Sequence, residues 1–135
     1  MKVIGIEIKN KKVFFGVYSN VNGEGHLYEC KSLTLKNDSS DSLKAFQKEI
    51  FNVIGAVNPN EIVIISRQTK GRFSAGAVSF KIEALIQLYT DSVYFISPAA
   101  LRAYFKKNEM PFKPKYAYNE NAFKAAYCFL NTVNK

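Results

Sequence analysis

Histidine and cysteine are scarce in this sequence, and their scarcity excludes several kinds of enzyme site. His26 is the only histidine, so a metal site built from several histidines is excluded. His26 also stands at a predicted turn-to-strand junction, and no serine or cysteine has a spacing to it that supports a nucleophile–histidine mechanism. Cys30 and Cys128 are far apart in sequence, and we expect small core residues rather than a disulfide.

A long hydrophobic run is also missing. The opening, Met1 to Ile8, carries a lysine and Glu7, which is the pattern of neither a signal peptide nor a membrane span. We therefore expect a cytoplasmic protein with no membrane partner. The 135 residues are 47% hydrophobic and 14% aromatic, which favours one folded domain over residues 1–135.

Acidic residues are few compared with basic ones. The chain has 19 lysines and arginines against 11 aspartates and glutamates, which gives a formal net charge of +8. This balance favours an anionic partner such as nucleic acid or a phosphorylated ligand. Because the basic residues are spread along the chain, a generally solvated basic surface is the alternative.

Side-chain alternation predicts the strands. Lys2–Ile8, Val13–Tyr18 and His26–Leu35 alternate with period two, which is typical of antiparallel strands, and Glu7 falls on the same side as Gly5. The apolar runs Ile62–Ile65 and Val93–Ile96 predict two more strands.

Helical periodicity appears between and after the predicted strands. It predicts helices over Leu43–Val57, Ala77–Tyr89, Ala99–Lys107 and Asn119–Thr132, the first capped from within Asn37–Asp41. The order of these elements predicts an α/β domain with a mixed five-stranded sheet, three antiparallel strands followed by parallel ones, and helices on both faces.

This order resembles the ribonuclease H-like fold. The opening Val3-Ile4-Gly5-Ile6-Glu7 is similar to the first-strand motif of RuvC-type Holliday-junction resolvases, where aspartate takes the last place. A closer similarity, over nearly the whole chain, is to an uncharacterised bacterial family of the same fold. It is carried by Thr69-Lys70-Gly71-Arg72-Phe73, Gly76-Ala77, Phe80-Lys81-Ile82-Glu83-Ala84, Ile96-Ser97-Pro98, Glu120, Ala122-Phe123 and Ala126-Tyr127.

The RuvC resemblance implies a metal-dependent nuclease in which about four carboxylates hold a pair of magnesium ions. The first-strand acid would be Glu7. After the central strand the chain has Ser66, and at the last helix the acidic positions fall near Tyr118 and Asn121, with Glu120 one residue away. The resemblance therefore implies a reduced set of acids.

Such a set would hold at most one weakly bound magnesium or manganese ion. Glu7 and Glu120 would be its acidic ligands and the catalytic remnant, with Ser66, Asn119 or Asn121 as neutral oxygen ligands. The alternative is that Glu7 is a solvated strand-end residue and Glu120 a favourable acid in the first turn of a helix.

The segment 69–76 is the second candidate. Gly71 and Gly76 have the outer spacing of a phosphate-binding loop, but Ala77 and Val78 stand where such a loop needs lysine and serine or threonine. Backbone amides with two nearby cations would still suit a nucleic-acid phosphate, and a simple tight turn is the alternative. The predicted nucleic-acid contacts are Lys70, Arg72, Phe73 and Lys81.

One acidic residue of the second predicted helix and two tyrosines of a predicted loop each have more than one interpretation. Glu83 is interpreted as an ion-pair partner of Lys81 or Lys70 rather than a catalyst. Tyr116 and Tyr118, like Phe73, lie in predicted loops and are candidates for stacking on bases, with core packing as the commoner fate of aromatics.

The leading hypothesis is a ribonuclease H-like domain that binds nucleic acid and has weak or lost metal-dependent nuclease activity. An active magnesium- or manganese-dependent nuclease and a non-catalytic protein-interaction scaffold are the alternatives. The oligomeric state stays open, with a homodimer among the options.

Overall fold

A computed structural model describes residues 1–21, 24–28, 32–67, 76–111, 113–114 and 116–133. The strands are β1 (Lys2–Lys9), β2 (Lys12–Val21), β3 (Glu24–Tyr28), β4 (Ser32–Thr34), β5 (Glu61–Ile65) and β6 (Val93–Ile96). The helices are α1 (Ser40–Val57), α2 (Ala77–Gln87), α3 (Pro98–Phe105) and α4 (Glu120–Val133), and a 3-10 turn covers Ala117–Asn119. In this part of the chain, no helix combines the length and the apolar character that a membrane span requires.

The strands form one mixed sheet in the order β3-β2-β1-β5-β6, with β4 also paired to β2. The β1–β2 and β2–β3 pairs are antiparallel, whereas β1–β5 and β5–β6 are parallel. The predicted architecture of antiparallel strands followed by parallel ones is therefore confirmed.

The third predicted strand, His26–Leu35, is instead two short strands. The longer β2 pairs with β3 through Val17–Val21 and with β4 through Lys12–Phe14. At Phe15, between the two pairings, the buried Asn119 side chain donates to the backbone carbonyl over 2.9 Å. A side-chain amide thus bonds to β2 where its pairing passes from one strand to the other, which a pattern of alternating residues does not reveal.

Alternation along each strand divides the core into two layers. One face carries Ile4, Ile6, Ile62 and Ile64 and packs against α1 and α2. The other carries Val3, Val63 and Ile65 and packs against α3 and α4. Within the second layer, burial raises the pKa of the Cys128 thiol, as expected for an inert core cysteine. Cys30 lies outside the described residues.

Helix α4 lies against the sheet at a pair of glycines. Gly5 and Gly16 are opposite each other in the β1–β2 ladder. A Cβ atom at Gly5 would overlap the Ala122 carbonyl oxygen and lie 2.9 Å from the Ala126 nitrogen, and one at Gly16 would overlap the backbone of Phe123. The absence of two Cβ atoms therefore allows the α4 backbone to contact the sheet directly.

Local capping sets the helix ends near their predicted positions. The Ser39 side chain accepts from the Ser42 amide to begin α1, and Asn58 ends it in the left-handed region with φ 52°. Ser97 caps α3 in the same way, with Pro98 in the first turn. Because α3 starts directly after β6, its first turn lies at the carboxyl edge of the parallel strands.

Candidate functional site

Glu7 lies near the end of β1, on the sheet face that α4 covers. Its side chain is 12% exposed, and one of its oxygens accepts a 2.9 Å hydrogen bond from the Asn121 amide in the first turn of α4. The Lys9 ammonium is 3.9 Å from the other oxygen. The contact of α4 with Gly5 brings Asn121 to this position, because Ala122, which meets Gly5, is the next residue.

A groove opens beside Glu7, between the end of β5 and helix α3. It consists of two adjoining depressions of about 440 and 610 Å³ that share Glu7, Ile65, Pro98 and Arg102 in their walls. We call it the Glu7 groove. Its polar and charged lining residues are Glu7, Lys9, Ser66, Arg67, Ser97, Arg102, Lys106, Asn121 and Lys124.

The charge of the Glu7 groove is positive. Of the described residues that line it, Glu7 is the only acid. Arg67 is paired with Glu83 over 2.9 Å, and Lys124 with Glu120 over 3.0 Å.

Two cations of the groove are not neutralised in this way. Neither Arg102 nor Lys106 has an acidic partner within the described segments. Their spacing of four residues at the end of α3 places them on one side of the chain. The groove therefore presents two uncompensated positive charges.

The predicted metal ligands are only partly brought together. Glu7, Ser66 and Asn121 all line the Glu7 groove, whereas Glu120 lines a neighbouring cavity with Lys124. Asn119 is buried and bonded to β2, so its side chain does not reach the groove.

This donor set does not fit the pair of metal ions that the resemblance implies. Two clustered divalent cations need several carboxylate oxygens, yet the described lining of the groove offers one carboxylate, which already accepts from Asn121 and lies 3.9 Å from the Lys9 ammonium. No three histidine, cysteine, aspartate or glutamate side chains cluster in the described part of the chain in a way that could hold a metal ion. The lining chemistry suits an anion.

The predicted nucleic-acid contacts have separate outcomes. Lys70, Arg72 and Phe73 lie outside the described residues. Lys81 is on α2, where its ammonium is 2.9 Å from Asp38 and its hydrogen bond holds the pKa of that carboxyl below the ordinary value.

The predicted partner of Glu83 was wrong in one respect. Its carboxylate is paired with Arg67, while Lys81 is occupied by Asp38. Arg67 was not predicted as the partner of Glu83, because the contact joins residues 16 positions apart and depends on how α2 packs against the sheet.

Arg102 and Lys106 were also missed as site residues. A signal was available, since four residues separate them in a predicted helix that follows a strand at the sheet edge. What the spacing alone could not show was that this side of α3 faces Glu7.

Comparison with known proteins places the chain in a family. A family model described as protein of unknown function (DUF3010) matches residues 1–129. This chain is a DUF3010 protein. No curated protein matches it in sequence.

Solved structures similar to this DUF3010 protein include junction resolvases. RuvC of T. thermophilus in complex with Holliday junction substrate has a TM-score of 0.79 at 10% identity, covering 99% of this chain and 95% of that one. Another structure of Thermus thermophilus RuvC has a TM-score of 0.71 at 12% identity, covering 98% of each chain. Fowlpox virus resolvase with Holliday junction DNA has a TM-score of 0.64 at 12% identity, covering 100% of both chains.

At these identities the similarity shows the fold. The DUF3010 protein has the RuvC-like, ribonuclease H-like fold, and the resemblance expected from its sequence is confirmed.

Proposed function

We propose that this DUF3010 protein binds nucleic acid through the Glu7 groove and holds backbone phosphates with its own cations in place of metal ions. The observation that carries the proposal is the charge of the groove, in which Arg102 and Lys106 have no described acidic partner and Glu7 is the one acid among the described lining residues. Solved proteins of this fold were captured with Holliday junction DNA, which supports the class of ligand.

The chemistry of the two cations suits phosphate oxygens. The guanidinium of Arg102 offers several N–H donors in a plane and stays charged at any physiological pH, whereas Lys106 adds a compact charge on a flexible stem. Arg102 is on α3, and the residue that caps this helix, Ser97, also lines the groove. The net charge of +8 adds long-range attraction for a polyanion.

Lys70, Arg72 and Phe73 stay predicted contacts. They precede α2 in the sequence, and the strand that leads to them ends beside Ser66 and Arg67, two lining residues of the groove. The cations of Lys70 and Arg72 would add phosphate contacts to those of α3.

Removing the two free cations together is the direct test. We expect the double variant Arg102→Ala/Lys106→Ala to bind a fluorescein-labelled duplex on the order of a hundredfold more weakly at about 50 mM salt. The plot of log K against log salt concentration should become shallower by about 1.8, since each lost phosphate contact removes about 0.9 from the slope. Fluorescence polarisation at several salt concentrations measures both quantities.

The matched control is Lys44→Ala/Lys48→Ala, which removes two exposed lysines with the same spacing from α1 on the other face of the sheet. This control should keep both the affinity and the salt slope. Binding that is absent at low salt in the unaltered protein, or that does not depend on salt, would refute the proposal. An equal loss in the control would assign binding to general surface charge.

Glu7→Gln separates phosphate binding from metal-dependent cleavage. In a groove that receives phosphate, Glu7 repels the ligand, so its neutralisation should raise affinity in EDTA by about two- to fivefold, the size of one partly exposed charge interaction. With manganese added, the unaltered protein should leave duplex, single-stranded and junction DNA intact on a denaturing gel.

Manganese-dependent cleavage that Glu7→Gln abolishes would instead establish an active nuclease. Glu120→Gln in the same assay tests the second predicted acid. If no nucleic acid binds and no DNA is cut, the protein-interaction scaffold becomes the better hypothesis.

A further inference from the structure

Two tyrosines form an exposed stack directly before α4. The rings of Tyr116 and Tyr118 have centroids 5.2 Å apart and planes 12° from parallel. The two residues are 43% and 49% exposed. Tyr18, whose ring meets Tyr127 at 4.9 Å, is by contrast only 6% exposed. Burial in the core therefore explains the position of Tyr18, but it does not explain why the rings of Tyr116 and Tyr118 stack at the surface.

The stack is held in a fixed position beside the Glu7 groove. Tyr118 contacts the ring of Phe14 at 5.8 Å, and Phe14 is the residue opposite Glu7 in the β1–β2 ladder. Between Tyr118 and α4, Asn119 is anchored to the backbone of β2. The rings of Phe14, Tyr118 and Tyr116 thus form a row that begins beside Glu7 and continues across β2. Arg102 and Lys106 of α3 lie on the other side of Glu7.

Positive charge borders the row as well. Lys9 and Lys12 are opposite each other in the β1–β2 ladder, two positions beyond the pair formed by Glu7 and Phe14. Both lysines are exposed. A polyanion bound along this end of the β1–β2 hairpin would therefore meet Lys9 and Lys12 in addition to the cations of α3.

We propose that the Tyr116–Tyr118 stack is a platform for an unpaired nucleobase. The proposal rests on the proposed function, because it assigns the phosphates of the same strand to the Glu7 groove. Every base has a flat π-face that stacks on an aromatic ring, whereas the bases of an intact duplex are already stacked on one another. The platform would therefore make the protein prefer single-stranded or unpaired regions over continuous duplex.

The test compares two DNAs of equal length, one single-stranded and one duplex, by fluorescence polarisation. We expect Tyr116→Ala and Tyr118→Ala each to weaken single-strand binding about tenfold, the size of one lost base–aromatic contact, and to change duplex binding less than twofold. Tyr116→Phe and Tyr118→Phe keep the ring and should bind like the unaltered protein.

Tyr94→Ala is the matched control, since Tyr94 is 44% exposed and lies on β6, away from the groove. It should leave both affinities unchanged. Single-strand binding that survives both alanine variants, or a loss of equal size on single strand and duplex, would overturn the platform while leaving the groove proposal intact. Absence of all DNA binding in the unaltered protein would overturn both.

Discussion

Replacing Gly5 with alanine is expected to destabilise the protein by at least about 3 kcal/mol, the upper range for overpacking a dense interior. The added methyl group would overlap the Ala122 carbonyl and crowd the Ala126 nitrogen, both of them backbone atoms. If the new methyl group met a flexible side chain, that side chain could rotate away. It meets the backbone of a helix instead, and a helix backbone can move only as a unit. Relief therefore requires α4 to lift from the sheet, with loss of the buried contacts of Ala125, Ala126 and Leu130.

Urea unfolding followed by circular dichroism measures this effect as a lower midpoint. Gly16→Ala should give a loss of similar size, because its Cβ would overlap the backbone at Phe123. Gly55→Ala is the matched control on α1, where the new methyl group would meet only the Tyr89 hydroxyl at 3.8 Å. It should stabilise by about 0.5 to 1 kcal/mol through helix propensity. Equal effects at Gly5 and Gly55 would contradict the close approach of α4.

Removing the charge of Arg67 is expected to cost about 2 to 3 kcal/mol. The guanidinium is 11% exposed, pairs with Glu83 over 2.9 Å, bonds to the Ser79 carbonyl at 3.3 Å and lies 4.7 Å from the centre of the Phe80 ring. Arg67→Met keeps the length of the side chain but leaves the Glu83 carboxylate, 19% exposed, without its cation. A poorly solvated charge that loses its partner is costly.

A double-mutant cycle isolates the pair. Arg67→Met/Glu83→Leu removes both charges, so the double variant should be more stable than the sum of the single losses predicts, by at least about 1 kcal/mol. The Lys81–Asp38 pair is the matched control, because its distance is also 2.9 Å but its side chains are 48% and 51% exposed. Its coupling should be much smaller than that of the Arg67–Glu83 pair, because solvent screens exposed charges. Additive losses at Arg67 and Glu83 would show that burial does not strengthen that pair.

The sheet was predictable because its signals are local. Alternation in Lys2–Ile8 and the apolar run Ile62–Ile65 each follow from which faces of a strand are buried, and serine and proline at 97 and 98 mark the start of α3. The prediction of one continuous third strand was wrong, because alternating side chains do not show whether a strand is interrupted. The interruption is visible only in the separate pairings of β3 and β4 with β2 and in the Asn119 bond to Phe15 between them.

The candidate site was less predictable because its contacts join distant parts of the chain. Glu7 was identified from its motif, and Gly5 was placed on the same face, but the sequence did not indicate that α4 contacts this glycine. The pairing of Glu83 with Arg67 and the stack of Tyr118 on Tyr116 depend on packing geometry. The shortage of acids was evident from the sequence, since Ser66 and Asn121 stand at or near places where the RuvC resemblance implies acidic residues.

The contact of the α4 backbone with Gly5 and Gly16 affects how the Glu7 groove can change shape. The wall that carries Asn121 is backbone pressed on backbone, so it is stiff and cannot adjust to a ligand. The opposite wall is α3, a helix of eight residues with Leu101 as its one buried side chain. Any widening of the groove is therefore expected to come from tilting of α3, and a ligand bound there as proposed above would meet one rigid wall and one compliant wall.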